Sequence, residues 1–317
     1  MMRRSLKIAV SAIVTVSLSL GVGSVAAADE VPSDTIEELI DAAPDAEQAL
    51  KFPEVSVDST VSLPTESAEA ITFSHEDGAS LSVGLPSNAD FVVDTSAELG
   101  DKTVVTAQYM TTDDASRPAG LPSARAVLVI PNADAPSSYD FDIQVPEGTE
   151  AEYRTDGGIT LVRPAATQQG EPQADTVIAD INAPWAVDAN GIEIPTSYSF
   201  DGQTLTQTID LSAVTAFPVV ADPKVDWMGY FVRLTYSKAE TRNMRDQGII
   251  IGAIVGAGAT IAAAAGPAAP AIIAAVYAAS TVAVGVIAAT ASNAVGDGKC
   301  LQLDIPSMYP SIVKCRS

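Results

Sequence analysis

The chain has two cysteines, Cys300 and Cys315, and one histidine, His75, and these positions bound its chemistry tightly. In an exported protein, two cysteines this close to one terminus predict a disulfide. Closing a loop of that size contributes on the order of 3 kcal/mol by the chain-entropy model. Neither cysteine has a second cysteine or a histidine at ligand spacing, which argues against zinc. A Ser-His-Asp triad would have His75 as its sole base, and no nucleophile elbow accompanies it. His75 is therefore read as a turn residue. No HExxH, P-loop or GxGxxG stands in the right context. "DANGIE" at Asp188 to Glu193 lacks the repeated ligand spacing of a calcium loop, and Asn190-Gly191 fits a type I′ hairpin turn. Paired carboxylates cannot be singled out where acidic residues are so abundant. The expectation is a non-enzyme with no catalytic, cofactor or metal site.

The elements that must carry these residues begin with a leader. Arg3, Arg4 and Lys7 precede an apolar run from Ile8 to Val25 and then Ala26, Ala27 and Ala28. That order predicts a secretory signal over 1–28, cleavage before Asp29, and an extracellular or envelope-associated protein. Residues 29–222 hold six Lys or Arg against 35 Asp or Glu, whereas 223–317 hold eight basic and five acidic residues. So acidic a body excludes nucleic acid, whose phosphates need clustered Lys and Arg.

Residues 29–53 read as an N-terminal arm with a short helix, Ile36, Leu39 and Ile40 lying behind Asp34 with Glu37 three residues on. From 54 to 222 the periodicity is two and turn residues multiply, which predicts an acidic, sandwich-like β domain. Glu76-Asp77-Gly78, Asp156-Gly157-Gly158 and Asp201-Gly202 are its expected hairpin turns. Ala126 to Ile130, "AVLVI", is its most buried strand, and Arg163 to Asp175 is a surface loop. "APSSYDFD" at Ala135 and "IPTSYSFD" at Ile194 echo one another, as one sheet element used twice or by chance. At Pro223 the composition changes. Ser237 and Glu240 have capping-box spacing, and 223–317 is read as a helical Ala/Gly-rich module with a disulfide-closed tail. The expected class is α+β: an all-β body followed by a C-terminal α-helical hairpin.

No charged residue occurs from Gly248 to Ala294. Gly266-Pro267 and Pro270 divide that stretch into segments 248–265 and 271–294. Eighteen helical residues span about 27 Å against a bilayer core of about 30 Å, so length permits crossing, while the many Ala and Gly make insertion marginal. Gly248, Gly252 and Gly256 form a helix-pairing row. Lys238, Arg242 and Arg245 precede it on one face, where they could meet lipid headgroups. This pattern resembles the apolar hairpins of secreted membrane-active toxins and bacteriocins. Two readings stay open: a module meeting an anionic membrane or envelope component, and a soluble binding or structural module in which the hairpin is a packed core.

The run from Ile181 to Pro223, "INAPWAVDANGIEIPTSYSFDGQTLTQTIDLSAVTAFPVVADP", resembles a segment of secreted, uncharacterised actinobacterial proteins. There a "PWA.DA.G..(I/V)PT.Y...G.TL.Q" run ends in a "PVVADP" junction before a variable C-terminal region. The resemblance implies export, a β-rich body and a separate C-terminal module. It carries no activity and no catalytic residues.

Overall fold

Alternating strands with one apolar face must bury that face against a second sheet, and two packed sheets result. The computed structural model describes residues 35–44, 48–50, 59–75, 78–111, 121–164, 173–245, 284–305 and 309–315. The smaller, six-stranded sheet runs β13 (Thr196–Phe200), β14 (Thr204–Ile209), β8 (Ser138–Gln144), β4 (Ser80–Gly84), β3 (Ala70–His75) and β2 (Ser59–Ser62).

The larger sheet runs β1 (Ala49–Leu50), β6 (Val104–Met110), β7 (Ser123–Ile130), β16 (Lys224–Thr235), β11 (Gln173–Ile181), β10 (Ile159–Arg163) and β9 (Glu150–Tyr153). On its margins, β5 (Asp90–Phe91) joins β6, while β15 (Val219–Ala221) bridges β7 and β12 (Ala186–Asp188). β17 (Cys300–Ile305) joins β16, and β18 (Tyr309–Val313) joins β17. Pro310 falls in β18, a position a sheet margin tolerates because proline has no N–H to donate.

One apolar core fills the space between the sheets. Val61, Ile71, Phe73, Leu81, Val83 and Phe141 enter it from the smaller sheet, and Leu128, Ile130, Leu161, Ile181, Val225 and Trp227 from the larger. Phe73 and Trp227 stack across it with ring centroids 6.1 Å apart. All eight residues of β7 are buried, as expected for "AVLVI", because the outer face of that strand is covered too. There α1 (Ile36–Asp41) lays Ile36 and Ile40 against Val104, Val127 and Val129.

The two echoing segments occupy equivalent places. β8 and β13 flank β14 on its two sides, and Tyr139 and Tyr198 both pair in register with Gln207. Each tyrosine crosses to the larger sheet through its hydroxyl. Tyr139 meets Thr103 at 3.0 Å, and Tyr198 donates to Asp222 Oδ1 at 3.2 Å.

Several expectations are corrected. The described protein is mainly β rather than α+β, and no C-terminal helical hairpin module is seen among the described residues. The chain does not change architecture at Pro223: the next residue opens β16, whose twelve residues pair with β11 along one side and with β7 and β17 along the other. The cysteine tail is likewise part of this sheet. Of the uncharged stretch, only its end is described, with residues 284–296 helical. Gly248, Gly252 and Gly256 lie outside the described residues, as does the leader 1–28. No helix among the described residues is long and apolar enough to cross a membrane.

At α1 the cap is Thr35 rather than Asp34. Its hydroxyl accepts from the Glu38 amide while the Glu38 carboxylate accepts from the Thr35 amide, so the box sits one residue later than expected. The second box forms at the expected residues, Ser237 and Glu240, and starts α2 (Lys238–Asn243).

Candidate functional site

A trough of about 1130 Å³ lies on the face of the larger sheet that points away from the core. Strand alternation explains its floor: Val225 and Trp227 enter the core, so Lys224, Asp226 and Met228 must face the other way. Asp226 pairs in register with Ser123 of β7 on one side and with Asp180 of β11 on the other. Asp180 in turn pairs with Thr160, and Thr160 with Glu152. A continuous polar row thus crosses five strands.

Each carboxylate in the row is held by donors. Asp226 accepts from the Ser123 hydroxyl and, at 3.1 Å, from Asn182 Nδ2. Asp180 accepts from Arg154 Nη1 at 3.0 Å and from the Thr160 hydroxyl at 2.5 Å. Arg154 comes from the turn of the β9–β10 hairpin, where Gly157 takes φ +90°. Gly158 admits no side chain: a Cβ there would meet the Arg154 guanidinium at 2.1 Å and the Ile181 carbonyl oxygen at 2.9 Å.

Further along the trough, Arg233 grips Asp304 of β17 with two N–H groups at 2.8 and 3.3 Å and lies 3.6 Å from Glu152. Burial opposes its charge, but the surrounding carboxylates of Asp304, Asp180 and Glu152 more than offset this and hold the guanidinium protonated. A small apolar cluster of Val162, Val177, Met228 and Phe231 separates the two polar zones. Tyr309, Ser311 and Val313 of β18 form the opposite wall.

At the head of the trough Asp222 is fully buried. Its Oδ1 accepts from the Trp185 amide at 3.3 Å and from Tyr198, while Oδ2 has no partner. Burial pushes its carboxyl up to about 7, against the opposing pull of the Trp185 amide, the Tyr198 hydroxyl and the Arg125 charge.

The disulfide forms between Cys300 and Cys315, as predicted, and closes the β17–β18 hairpin. Lys238, Arg242 and Arg245 are exposed on and just after α2, outside the trough. His75 ends β3 in the other sheet. Among the described residues no group of three or more His, Cys, Asp or Glu is placed to hold a metal ion. Asp188 serves a turn: its two oxygens accept from the amides of Asn190, Ile192, Thr215 and Ala216 and from the Thr215 hydroxyl. Gly191 takes φ +73° within that turn.

The Thr215 hydroxyl is the largest influence on Asp188, opposed by desolvation and aided by the amides, and lowers the carboxyl from an ordinary 3.8 to about 2. A group held low in the folded chain contributes stability above its unfolded value and loses it as pH falls through its folded value. Asp188→Ala should therefore lower the melting temperature at neutral pH by on the order of 5 °C. The gap should narrow toward about pH 2 in a pH series of thermal melts, and a gap that ignores pH would refute this role.

The trough residues Asp180, Asp222, Lys224, Asp226 and Arg233 were not singled out by spacing. The available signal was charge at alternate positions inside an otherwise apolar strand, as in "KVDW". A scan against protein-family models finds no match for this chain, and a search of curated proteins finds none either.

Proposed function

We propose that this chain is a secreted, non-catalytic binding protein that holds a polar ligand in the trough of its larger sheet. The observation that carries this reading is the trough's charge. It is lined by six carboxylates and five Lys or Arg side chains, on a chain with 40 acidic and 17 basic residues. Part of that charge is fixed by pairing, Arg154 with Asp180 and Arg233 with Asp304 and Glu152, so a ligand would meet a preorganised surface. The leader read over 1–28 and the disulfide agree with an oxidising compartment. The resemblance of residues 181–223 to secreted actinobacterial proteins points the same way.

The test is to probe residues 29–317 on oligosaccharide and peptide arrays beside two variants. Ser311→Trp puts a ring on the trough wall, and Ser199→Trp puts one on the exposed face of the smaller sheet. The expected result is a ligand retained by the wild type and Ser199→Trp and lost by Ser311→Trp. Binding indifferent to Ser311→Trp would overturn the reading. Flotation of the same protein with anionic liposomes, without array binding, would instead support the membrane reading built on 248–294 and on Lys238, Arg242 and Arg245.

A further inference from the structure

Lys224 is 7 % exposed and lines the trough. Its ammonium carries three donors, and its hydrogen bond goes to a neutral acceptor, Gln48 Oε1, at 2.6 Å. No carboxylate lies within ion-pair distance of Nζ among the described residues. The acids of its own chain segment do not reach the ammonium, although the Lys224 backbone amide lies close enough to Asp222 to lower its carboxyl. Asp226 accepts from Ser123 and Asn182, and Asp222 accepts from Trp185 and Tyr198 with its second oxygen unpartnered.

Across the strand pair stands a second cation. Lys224 stands in register with Arg125 of β7, itself 1 % exposed. Arg125 donates to Gln108 Oε1 at 2.9 Å and to the Pro44 carbonyl at 2.8 Å. A buried ammonium without a counter-charge is expensive. An anion accepting from Lys224 relieves that penalty.

We infer that Lys224 anchors an oxyanion subsite at the head of the trough, receiving a carboxylate, phosphate or sulfate group of the ligand. This rests on the trough being a ligand site and adds the ligand's charge. The acids that flank Lys224 disfavour extended polyanions, so the group recognised is a single oxyanion on an otherwise neutral or zwitterionic molecule.

The experiment compares thermal melts of residues 29–317 at fixed ionic strength as chloride is replaced by acetate, inorganic phosphate or sulfate. The wild type should show a saturable rise with at least one oxyanion, about 3 °C at ten times its Kd. Lys224→Met, which keeps the stem and removes the charge, should show none. Gln48→Glu, which supplies a carboxylate to the ammonium from within the chain, should also lose the response, and it decides the matter if Lys224→Met does not fold. An equal rise in all proteins would be a general salt effect and would overturn the inference, as would no rise in the wild type. Array binding that Ser311→Trp abolishes, together with no oxyanion response, would reject the subsite and keep the trough. An oxyanion response specific to Lys224 with array binding indifferent to Ser311→Trp would keep the subsite and reject the wider trough.

Discussion

An Asp222→Asn variant is expected to melt about 8 °C above the wild type at about pH 8.5 and within about 2 °C of it at about pH 5. The cause is the burial of a carboxyl that is fully enclosed and has one oxygen without a partner. The Trp185 amide, the Tyr198 hydroxyl and the Arg125 charge do not compensate the lost hydration, so its folded value rises from 3.8 to about 7. A group raised in the folded chain favours folding while it is protonated. That contribution is complete below its unfolded value and is lost as pH climbs through about 7. The full difference, from below the unfolded value to mildly alkaline solution, amounts to about 4 kcal/mol, of which about 3 kcal/mol falls between about pH 5 and about pH 8.5. Asparagine keeps the acceptor that Trp185 and Tyr198 use and has no charge to bury. A difference in melting temperature that stays constant from about pH 5 to about pH 8.5 would show that Asp222 does not titrate in this range.

Asp222→Ala separates charge from hydrogen bonding at the same position. It removes the acceptor for both Trp185 and Tyr198, the second of which links the smaller sheet to the larger at the head of the trough. Leaving buried donors unpaired costs about 1–3 kcal/mol each. The alanine variant should thus fall below the wild type at about pH 5, where the asparagine variant matches it.

How much of this was legible in the sequence depended on whether the signal was local. The turns at Gly78, Gly157, Gly191 and Gly202 all have positive φ, and each lies where Asp-Gly or Asn-Gly chemistry demanded it. Ser237 and Glu240 cap their helix for the same local reason. β16 was not legible, because its outward positions carry Lys224, Asp226 and Arg233, and charge in a central strand mimics a surface or helical pattern. Only the pairing of β16 with β11, β7 and β17 makes those charges compatible with a strand, since each faces the trough. The partners of Asp180 illustrate the same limit: Thr160 is twenty residues away and Arg154 twenty-six. No spacing rule links residues whose neighbourhood is set by sheet register. The echo of "SSYDFD" and "TSYSFD" lay between these extremes. Its repeated Tyr and Phe were visible, but that both tyrosines flank Gln207 and reach across the core emerges only from β14 lying between the two strands.

The second large effect is expected at the disulfide. Cys300 stands at the start of β17, and Cys315 lies two residues beyond β18, fifteen residues later. β18 pairs with β17, and β17 pairs with Val232–Thr235 of β16, so the bond closes the outermost hairpin of the sheet while strand pairing joins that hairpin to the central strand. Cross-linking a loop of this length contributes on the order of 3 kcal/mol by restricting the unfolded chain. Replacing both cysteines by serine, or reducing the bond, should lower stability by about that amount in denaturant titrations. Because the hairpin also supplies the Tyr309, Ser311 and Val313 wall of the trough, its loosening has a local reading besides the global one. Amide exchange should accelerate in β17 and β18 before it does in β7, whose eight residues are buried on both faces. Uniform acceleration through both regions would mean that the hairpin and the body unfold as one unit. An unchanged midpoint after reduction would mean that pairing with β16 alone secures the hairpin, and that the bond contributes nothing measurable to the fold.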